Sequence, residues 1–265
     1  SHVVTRRLYE GDHAYVLQRP DGRIMFAIPF EEDFTLLGTT DIPFAGAPGP
    51  VEIDAEEIDY LLDGANHVFA RKLAREDIVW SYAGLRPLFD DGSLEASVVT
   101  RDYAFDLDAP DGSAPALFIF GGKITTARRL AEHALDALAP FFPGLRPAWT
   151  SGAVLPGGDL GPGGFPAFLA EVTRAKPFLQ PPLARRLAGA YGTRLWRFLE
   201  KATCLADLGE DLGSGLTEAE LAYLRESEWA RCAEDVLWRR SKLGLRLARA
   251  QRERVERAFT PPAAA

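Results

Sequence analysis

The chain has 265 residues, of which 47% are hydrophobic, and its formal net charge is -8. This length and composition can bury one large core or two modest ones. The negative charge argues against a general nucleic-acid binder, because phosphate backbones are held by clustered positive charge. No apolar run reaches the roughly 20 residues that a membrane-spanning helix needs.

The first part of the sequence predicts an antiparallel meander. A Pro-Asp-Gly reversal over 19–23 separates two candidate strands, and a third follows. The predicted strands cover 14–18, 24–30 and 34–41. In the second of them, alternation predicts one buried face, made of Ile24, Phe26, Ile28 and Phe30.

A helix is expected after this meander. Asp54 is the predicted N-cap, and Glu57 stands three residues later in the capping-box position. The apolar residues then recur at helical spacing. The predicted inner face consists of Ile58, Leu61, Leu62, Ala65, Val68, Phe69 and Leu73.

Two further predicted strands each carry an arginine that could bind an anion. In 78–87, alternation places Trp80, Tyr82 and Arg86 on one side of the sheet. A guanidinium beside aromatic rings suits bidentate binding of a carboxylate or phosphate, although a solvent-facing arginine at a strand end is the alternative. In 98–108, Arg101 falls on the apolar face and needs a partner, which is either an internal acid such as Asp90 or a ligand anion.

An apolar strand, 116–120, breaks at Gly121 and Gly122 and leads into an amphipathic helix that starts at Lys123 and ends before Pro140. The first turn of a helix offers unpaired N–H groups and the positive end of the helix dipole. Glycines allow a positive φ or close approach of a ligand. The turn is therefore a candidate site for an electron-rich group, and a tight connection without a ligand is the alternative.

The sequence beyond about residue 149 reads as a separate helical unit after a linker rich in glycine and proline. Pro181 or Pro182 is expected to begin one helix, and Thr217 with Glu220 forms a capping box that opens another. The basic residues of 225–257 are interleaved with acidic ones, which favours solvated helix faces over a nucleic-acid or membrane patch. The predicted domains are 1–148 and 149–265.

The two cysteines, Cys204 and Cys232, lack the spacing of a metal site or a redox motif. Both are predicted to be core thiols. Because disulfides form chiefly in oxidising compartments, a reduced cytoplasmic setting is expected.

Eight motifs occur in the order found in a known family. This chain resembles, over nearly its whole length, the later part of the bacterial flavin-dependent glycerol-3-phosphate dehydrogenases. The motifs are Gly38-Thr-Thr-Asp41, Tyr82-Ala-Gly-Leu-Arg-Pro-Leu88, Val99-Thr-Arg-Asp-Tyr103, Phe120-Gly-Gly-Lys-Ile-Thr-Thr126, Leu130-Ala-Glu-His-Ala134, Val154-Leu-Pro-Gly-Gly158, Asp207-Leu-Gly-Glu-Asp211 and Leu237-Trp-Arg-Arg240.

The resemblance implies an α+β fold. An antiparallel substrate-binding sheet with helices is followed by an all-helical C-terminal domain. The G-x-G-x-x-G half that holds the FAD pyrophosphate in this family is not found in the sequence. The expectation is a fragment of a two-domain FAD-dependent oxidoreductase that is inactive by itself.

For the complete enzyme, the resemblance implies oxidation of sn-glycerol 3-phosphate to dihydroxyacetone phosphate. Hydride passes from substrate C2 to flavin N5, and electrons pass on to a membrane quinone. Arg86 is the first choice for the substrate phosphate and Arg101 the second, with Arg86 and Lys123 as the catalytic pair. Lys123 would also complete the substrate pocket. The expected contacts to FAD come from Gly121, Gly122, Lys123, Ile124, Thr125 and Thr39.

The threonines carry a weaker signal, because strand and first-turn hydroxyls commonly satisfy the local backbone. No histidine is assigned to catalysis, and His67 and His133 lie on helices whose apolar faces already explain the pattern. A cytoplasmic enzyme bound peripherally to the inner face of the cytoplasmic membrane is expected, as a possible homodimer and without nucleic acid. Two alternatives remain: a glycerol-3-phosphate oxidase that uses dioxygen, and a non-enzymatic helical binding or assembly module.

Overall fold

The computed structural model describes residues 1–86 and 102–259. Nine strands and seven α-helices occur in these ranges. The strands are β1 His2–Arg6, β2 Tyr15–Gln18, β3 Ile24–Phe30, β4 Phe34–Gly38, β5 Ile78–Tyr82, β6 Tyr103–Asp108, β7 Ala116–Gly121, β8 Asp211–Gly213 and β9 Leu216–Thr217. The helices are α1 Ala55–Val68, α2 Ala127–Leu138, α3 Gly164–Ala175, α4 Pro181–Tyr191, α5 Trp196–Leu199, α6 Glu218–Ser227 and α7 Arg249–Arg257.

The chain divides into two compact units, Ser1–Ala153 and Val154–Ala265. In the first unit, five antiparallel strands form one sheet in the order β2-β3-β4-β1-β5, and β6 pairs with β7 in a separate hairpin. The predicted meander is confirmed as β2-β3-β4. The sequence reasoning did not predict β1, which lies between β4 and β5.

The helix α1 begins as predicted. Asp54 accepts a hydrogen bond from the Glu57 backbone N–H, at 2.8 Å, and the Glu57 carboxylate accepts one from the Asp54 N–H, at 3.2 Å. The predicted inner face of α1 packs on the sheet, except that Val68, the last residue of the helix, is half exposed.

The predicted buried face of β3 is wrong. Met25 and Ala27 are fully buried against α1, whereas Ile24, Phe26 and Ile28 lie on the opposite, partly exposed face. Both sets of side chains are apolar, so alternation alone cannot choose between them. The smaller set is the one that permits close packing of the helix: a Cβ added at Gly64 of α1 would stand 2.9 Å from the Met25 sulfur.

The second unit has its own hydrophobic core. Its secondary structure is nearly the all-helical one that was predicted. A short ribbon of β8 and β9 is the exception, and Ser214 and Gly215 turn between the two strands with positive φ. The helix α4 begins at Pro181 as predicted.

Both cysteines are exposed, which corrects their assignment to the core. Each stands just before a short helical turn and faces solvent instead of the apolar cluster.

The predicted capping box of α6 is only half formed. Thr217 accepts a hydrogen bond from the Glu220 N–H, at 3.3 Å, but the Glu220 side chain turns inward and is fully buried. Both of its oxygens accept hydrogen bonds from the guanidinium of Arg186, at 2.7 Å each, and Tyr191 donates a third at 2.6 Å. A buried carboxylate requires such partners, because desolvation without them is costly.

Glu220→Gln should lower the free energy of unfolding of the second unit by about 3 kcal/mol, because the buried Arg186 charge then loses its counterion. Urea unfolding followed by far-ultraviolet circular dichroism measures this loss. Glu253→Gln is the matched control, since Glu253 and Arg249 form an exposed pair whose removal costs at most about 1 kcal/mol. Equal effects of the two substitutions would contradict the assigned role of Glu220.

The choice of the buried face of β3 gives a second prediction. Met25→Ala should destabilise the first unit by about 2–5 kcal/mol, because it leaves a cavity beneath α1. Ile24→Ala should change stability by about 0.5 kcal/mol or less, since Ile24 is 51% exposed. The same unfolding measurement tests both substitutions. A larger loss of stability for Ile24→Ala than for Met25→Ala would show that the face predicted from the sequence is the buried one.

Candidate functional site

One face of the five-stranded sheet is covered by α1, and the other carries the polar and aromatic groups of a candidate site. The strand β1 pairs His2 with Gly38 of β4 on one side and with Tyr82 of β5 on the other. Trp80 stands opposite Val4 in the same ladder. Because directly paired residues project to the same face, His2, Trp80 and Tyr82 lie together.

The imidazole of His2 lies flat against the Tyr82 ring, with centroids 4.9 Å apart and planes 9° from parallel. Trp80 extends this aromatic surface, 5.0 Å from Tyr82. Burial is the main cause that lowers the pKa of His2 from 6.5 to about 4, and the Arg86 charge acts in the same direction. The imidazole is therefore neutral at physiological pH and has a nitrogen lone pair available as a proton acceptor.

No local pattern in the sequence marks His2 as a site residue. Its neighbours in the site stand 36 and 80 residues later in the chain, at Gly38 and Tyr82. The residue becomes a candidate only when β1 is placed between β4 and β5. The run of β-branched residues Val3, Val4 and Thr5, all of which are buried, would have been the nearest indication of a strand.

Arg86 lies just beyond β5, and its Nη1 donates to Oδ2 of Asp41 at 2.9 Å. Both side chains remain partly exposed, at 44% for Arg86 and 37% for Asp41. A guanidinium has five N–H donors in a planar fork. The aspartate thus fixes one part of the fork, and donors remain for a second anion.

The turn after β4 links this site to α1. The hydroxyl of Thr39 donates to the carbonyls of Ser1, at 3.3 Å, and Thr40, at 2.8 Å. Thr40 donates its own hydroxyl hydrogen bond to Glu57, whose second oxygen accepts from Ser1 Oγ at 3.0 Å. The Thr39 hydroxyl therefore serves the local backbone here, which was the alternative to its predicted contact with FAD.

The Gly121–Gly122–Lys123 turn has the backbone expected of it, with φ of 72° at Gly121 and 99° at Gly122. The helix does not begin at Lys123, however. A single 3₁₀ turn, Ile124–Thr126, precedes α2, which begins at Ala127. In this turn Ile124, one of the expected FAD contacts, is 93% exposed.

Lys123 stands at the start of the 3₁₀ turn and its carbonyl accepts from the Thr126 hydroxyl at 2.9 Å. Among the described residues, its ammonium makes no hydrogen bond or ion pair. Thr125 is exposed on the same turn. Arg101, the second predicted phosphate ligand, lies outside the described residues, and the convergence of Arg86 and Lys123 on one ligand stays a prediction.

Comparison with known proteins assigns the antiparallel sheet and the Gly-Gly-Lys turn to the FAD-dependent oxidoreductases, and the helical second unit to a C-terminal domain found in the same kind of enzyme. Residues 1–128 match the family described as FAD dependent oxidoreductase, and residues 148–261 match the C-terminal domain of alpha-glycerophosphate oxidase. A crystal structure of glycerol-3-phosphate dehydrogenase from Bacillus halodurans complexed with FAD has a TM-score of 0.73 and 27% identity, over 97% of this chain and 54% of that one.

Curated relatives are closer in sequence. Glycerol-3-phosphate dehydrogenase of Pseudomonas aeruginosa is 50% identical over 96% of this chain, and aerobic glycerol-3-phosphate dehydrogenase of Escherichia coli is 47% identical over 96%. D-erythritol 1-phosphate dehydrogenase of Brucella abortus is 42% identical over 95%. The chain thus combines a part of the FAD-dependent oxidoreductase family with a C-terminal domain of the alpha-glycerophosphate oxidase type, and over nearly its whole length it is similar to bacterial glycerol-3-phosphate dehydrogenases, as its motifs indicated. It spans about half the length of these curated relatives.

The lowered pKa of His2 makes stability depend on pH. Between pH 4 and 6.5 the unfolded chain binds the His2 proton and the folded chain does not, so this residue's contribution to stability is lost as pH falls through that range. The midpoint of urea unfolding of the first unit should therefore drop more between pH 7 and pH 4.5 in the native chain than in His2→Gln. Identical drops in the two proteins would show that His2 titrates normally.

Proposed function

We propose that this chain supplies the substrate-binding sheet and C-terminal domain of an enzyme that oxidises sn-glycerol 3-phosphate to dihydroxyacetone phosphate. The relatives at 47–50% identity that carry the name glycerol-3-phosphate dehydrogenase support the substrate. The observation that carries the proposal is the arrangement on the sheet. A neutral imidazole, His2, lies on an aromatic surface within the electrostatic reach of the Arg86 guanidinium.

Arg86 is proposed to bind the phosphate of the substrate. A phosphate dianion presents three oxygens, and a guanidinium fork binds two of them in parallel hydrogen bonds. Asp41 holds Nη1 at 2.9 Å and thereby restricts the orientation of the fork before a ligand arrives. This arrangement lowers the entropy lost on binding.

His2 is proposed to accept the proton of the substrate C2 hydroxyl. Oxidation of a secondary alcohol to a ketone removes a hydride from carbon and a proton from oxygen. The imidazole of His2 is unprotonated across the physiological range, so its nitrogen lone pair is free to accept that proton. Trp80 and Tyr82 beside it provide an apolar surface that limits access of water.

The turn at Gly121–Lys123 is proposed to contact FAD. FAD, when bound, supplies the acceptor for the hydride. The positive φ of both glycines, the unpaired N–H groups expected at the start of a helical turn and the exposed Lys123 fit an electron-rich ring edge. The half-exposed Phe118 and Phe120 of β7 add apolar surface next to this turn. Lys123 is proposed to complete the polar pocket between phosphate, C2 oxygen and cofactor.

The electron acceptor is proposed to be a membrane quinone, with the enzyme held peripherally at the inner face of the cytoplasmic membrane. The E. coli relative's name, aerobic glycerol-3-phosphate dehydrogenase, supports a respiratory role. None of the helices in the described ranges has the length and apolar composition of a membrane span. The enzyme is also proposed to form a homodimer.

Arg86→Ala in the complete gene product should lower kcat/KM for glycerol 3-phosphate at least about 30-fold, which corresponds to 2 kcal/mol for an unpaired phosphate. Reduction of an artificial dye measures the rate. Arg71→Ala is the matched control, because Arg71 is an equally exposed arginine of the same unit, paired with Asp77. An unchanged kcat/KM in Arg86→Ala would exclude Arg86 as the phosphate ligand.

The present chain with added FAD should show no dye reduction, because the main nucleotide-binding half is expected elsewhere. Turnover above the rate of free FAD would overturn that expectation.

The match to the C-terminal domain of alpha-glycerophosphate oxidase over 148–261 favours one second candidate, an oxidase that reduces dioxygen. Hydrogen peroxide produced in step with dihydroxyacetone phosphate by the complete gene product would identify the oxidase.

A further inference from the structure

The backbone at Gly38 leaves room for the His2 ring. A Cβ built at Gly38 would stand 2.1 Å from Cδ2 of His2 and 2.7 Å from its Cγ. Real Cβ atoms do not come so close to another heavy atom, so any larger residue would displace the imidazole. The φ of Gly38 is not in the left-handed region. The requirement for glycine here is therefore one of space and not of backbone conformation.

Tyr82 supports the ring from the neighbouring strand. The two rings are nearly parallel, 9° apart in orientation, and their centroids are separated by 4.9 Å. Offset stacking of this kind prefers one orientation of the smaller ring. Tyr82 is itself partly buried, and burial raises the pKa of its phenol. The tyrosine is therefore neutral at physiological pH and adds no charge next to His2.

Hydrogen bonds from the segment after Gly38 also hold the backbone next to His2. The Ser1 carbonyl accepts hydrogen bonds from the Thr39 hydroxyl, at 3.3 Å, and from the Thr40 N–H, at 3.4 Å. The ladder between β1 and β4 continues from there. The Gly38-Thr-Thr-Asp41 segment thus contacts both the backbone and the ring of the first strand.

We propose that Gly38 and Tyr82 are positioning residues that together hold the His2 imidazole in a single orientation against the sheet. This inference rests on the proposed function only for its catalytic consequence. It assigns a physical role to the glycine of the Gly38-Thr-Thr-Asp41 motif and to the tyrosine that opens Tyr82-Ala-Gly-Leu-Arg-Pro-Leu88. In this proposal neither residue takes part in the chemistry directly.

Besides the Ser1 amino group, which lowers the pKa of His2 in the chain used for the titration, the charged and titratable groups around His2 come from three elements. Arg86 approaches from beyond β5 and lowers the pKa of His2, in the same direction as burial. Asp41, at the end of the turn after β4, offsets part of that charge through its ion pair with Arg86. Glu57 of α1 is engaged by Thr40 and Ser1. Loss of the Tyr82 ring would expose His2 to water and oppose the effect of burial.

The first test uses the present chain and requires no activity. The His2 imidazole is followed by NMR as a function of pH and assigned by its disappearance in His2→Gln. In the native chain it should titrate near pH 4. In Tyr82→Leu the titration should move up by about one pH unit or more, towards the value of a solvated histidine, and Tyr82→Phe should leave it unchanged because the ring is retained.

Gly38→Ala should likewise raise the titration of His2, because the methyl group expels the ring from its place. Two substitutions control for a general loss of structure. Tyr15→Leu removes a tyrosine of the same sheet with 37% exposure, against 38% for Tyr82, and Gly49→Ala adds a methyl group in an open loop. Neither should move the His2 titration. Circular dichroism confirms that each variant is folded.

The second test measures kcat/KM against pH in the complete gene product. Tyr82→Leu should shift the acidic limb of the profile upward, in the same direction as the NMR titration, and Tyr82→Phe should leave the limb where it is in the native enzyme. A His2 titration that is insensitive to both Tyr82→Leu and Gly38→Ala would overturn the positioning role. A shifted NMR titration with an unshifted profile, or activity retained in His2→Gln, would leave the positioning role standing and reject His2 as the proton acceptor.

Discussion

The antiparallel register of β1 between β4 and β5 is the constraint on which the candidate site depends. It sets His2 opposite both Gly38 and Tyr82. A shift of one residue would turn the imidazole to the α1 side of the sheet, where Val3 and Leu37 form the core. Burial of Val3 therefore also determines where His2 points. The site and the core are two consequences of a single strand pairing.

The two faces of this sheet differ in what covers them. On one face, Met25 and Ala27 are small or flexible enough for α1 to pack closely. On the other, Ile24, Phe26 and Ile28 stay partly exposed alongside the aromatic residues of β5. A broad apolar face of this kind on a described unit is consistent with the proposal that the chain works together with a flavin-binding half.

The second unit is held by a different interaction. Glu220 is completely buried and satisfied by Arg186 and Tyr191. Burial and the neighbouring Glu220 charge raise the pKa of the Tyr191 phenol. The phenol therefore remains a donor and the carboxylate an acceptor. This network fixes α4 against α6 and leaves the N-cap of α6 to Thr217 alone.

Local signals in the sequence determined the meander, the hairpin turn before β3, the capping box at Asp54 and Glu57, the positive φ at Gly121 and Gly122, and the start of α4. Ordered motifs determined the family. Each of these depends on residues close together in the chain or on their order. The residues that determine the phase of β3, the inward turn of Glu220 and the place of His2 are far apart in sequence. Tertiary packing decided them, because two alternating apolar sets are equivalent until a helix covers one, and because a histidine acquires neighbours only when distant strands pair.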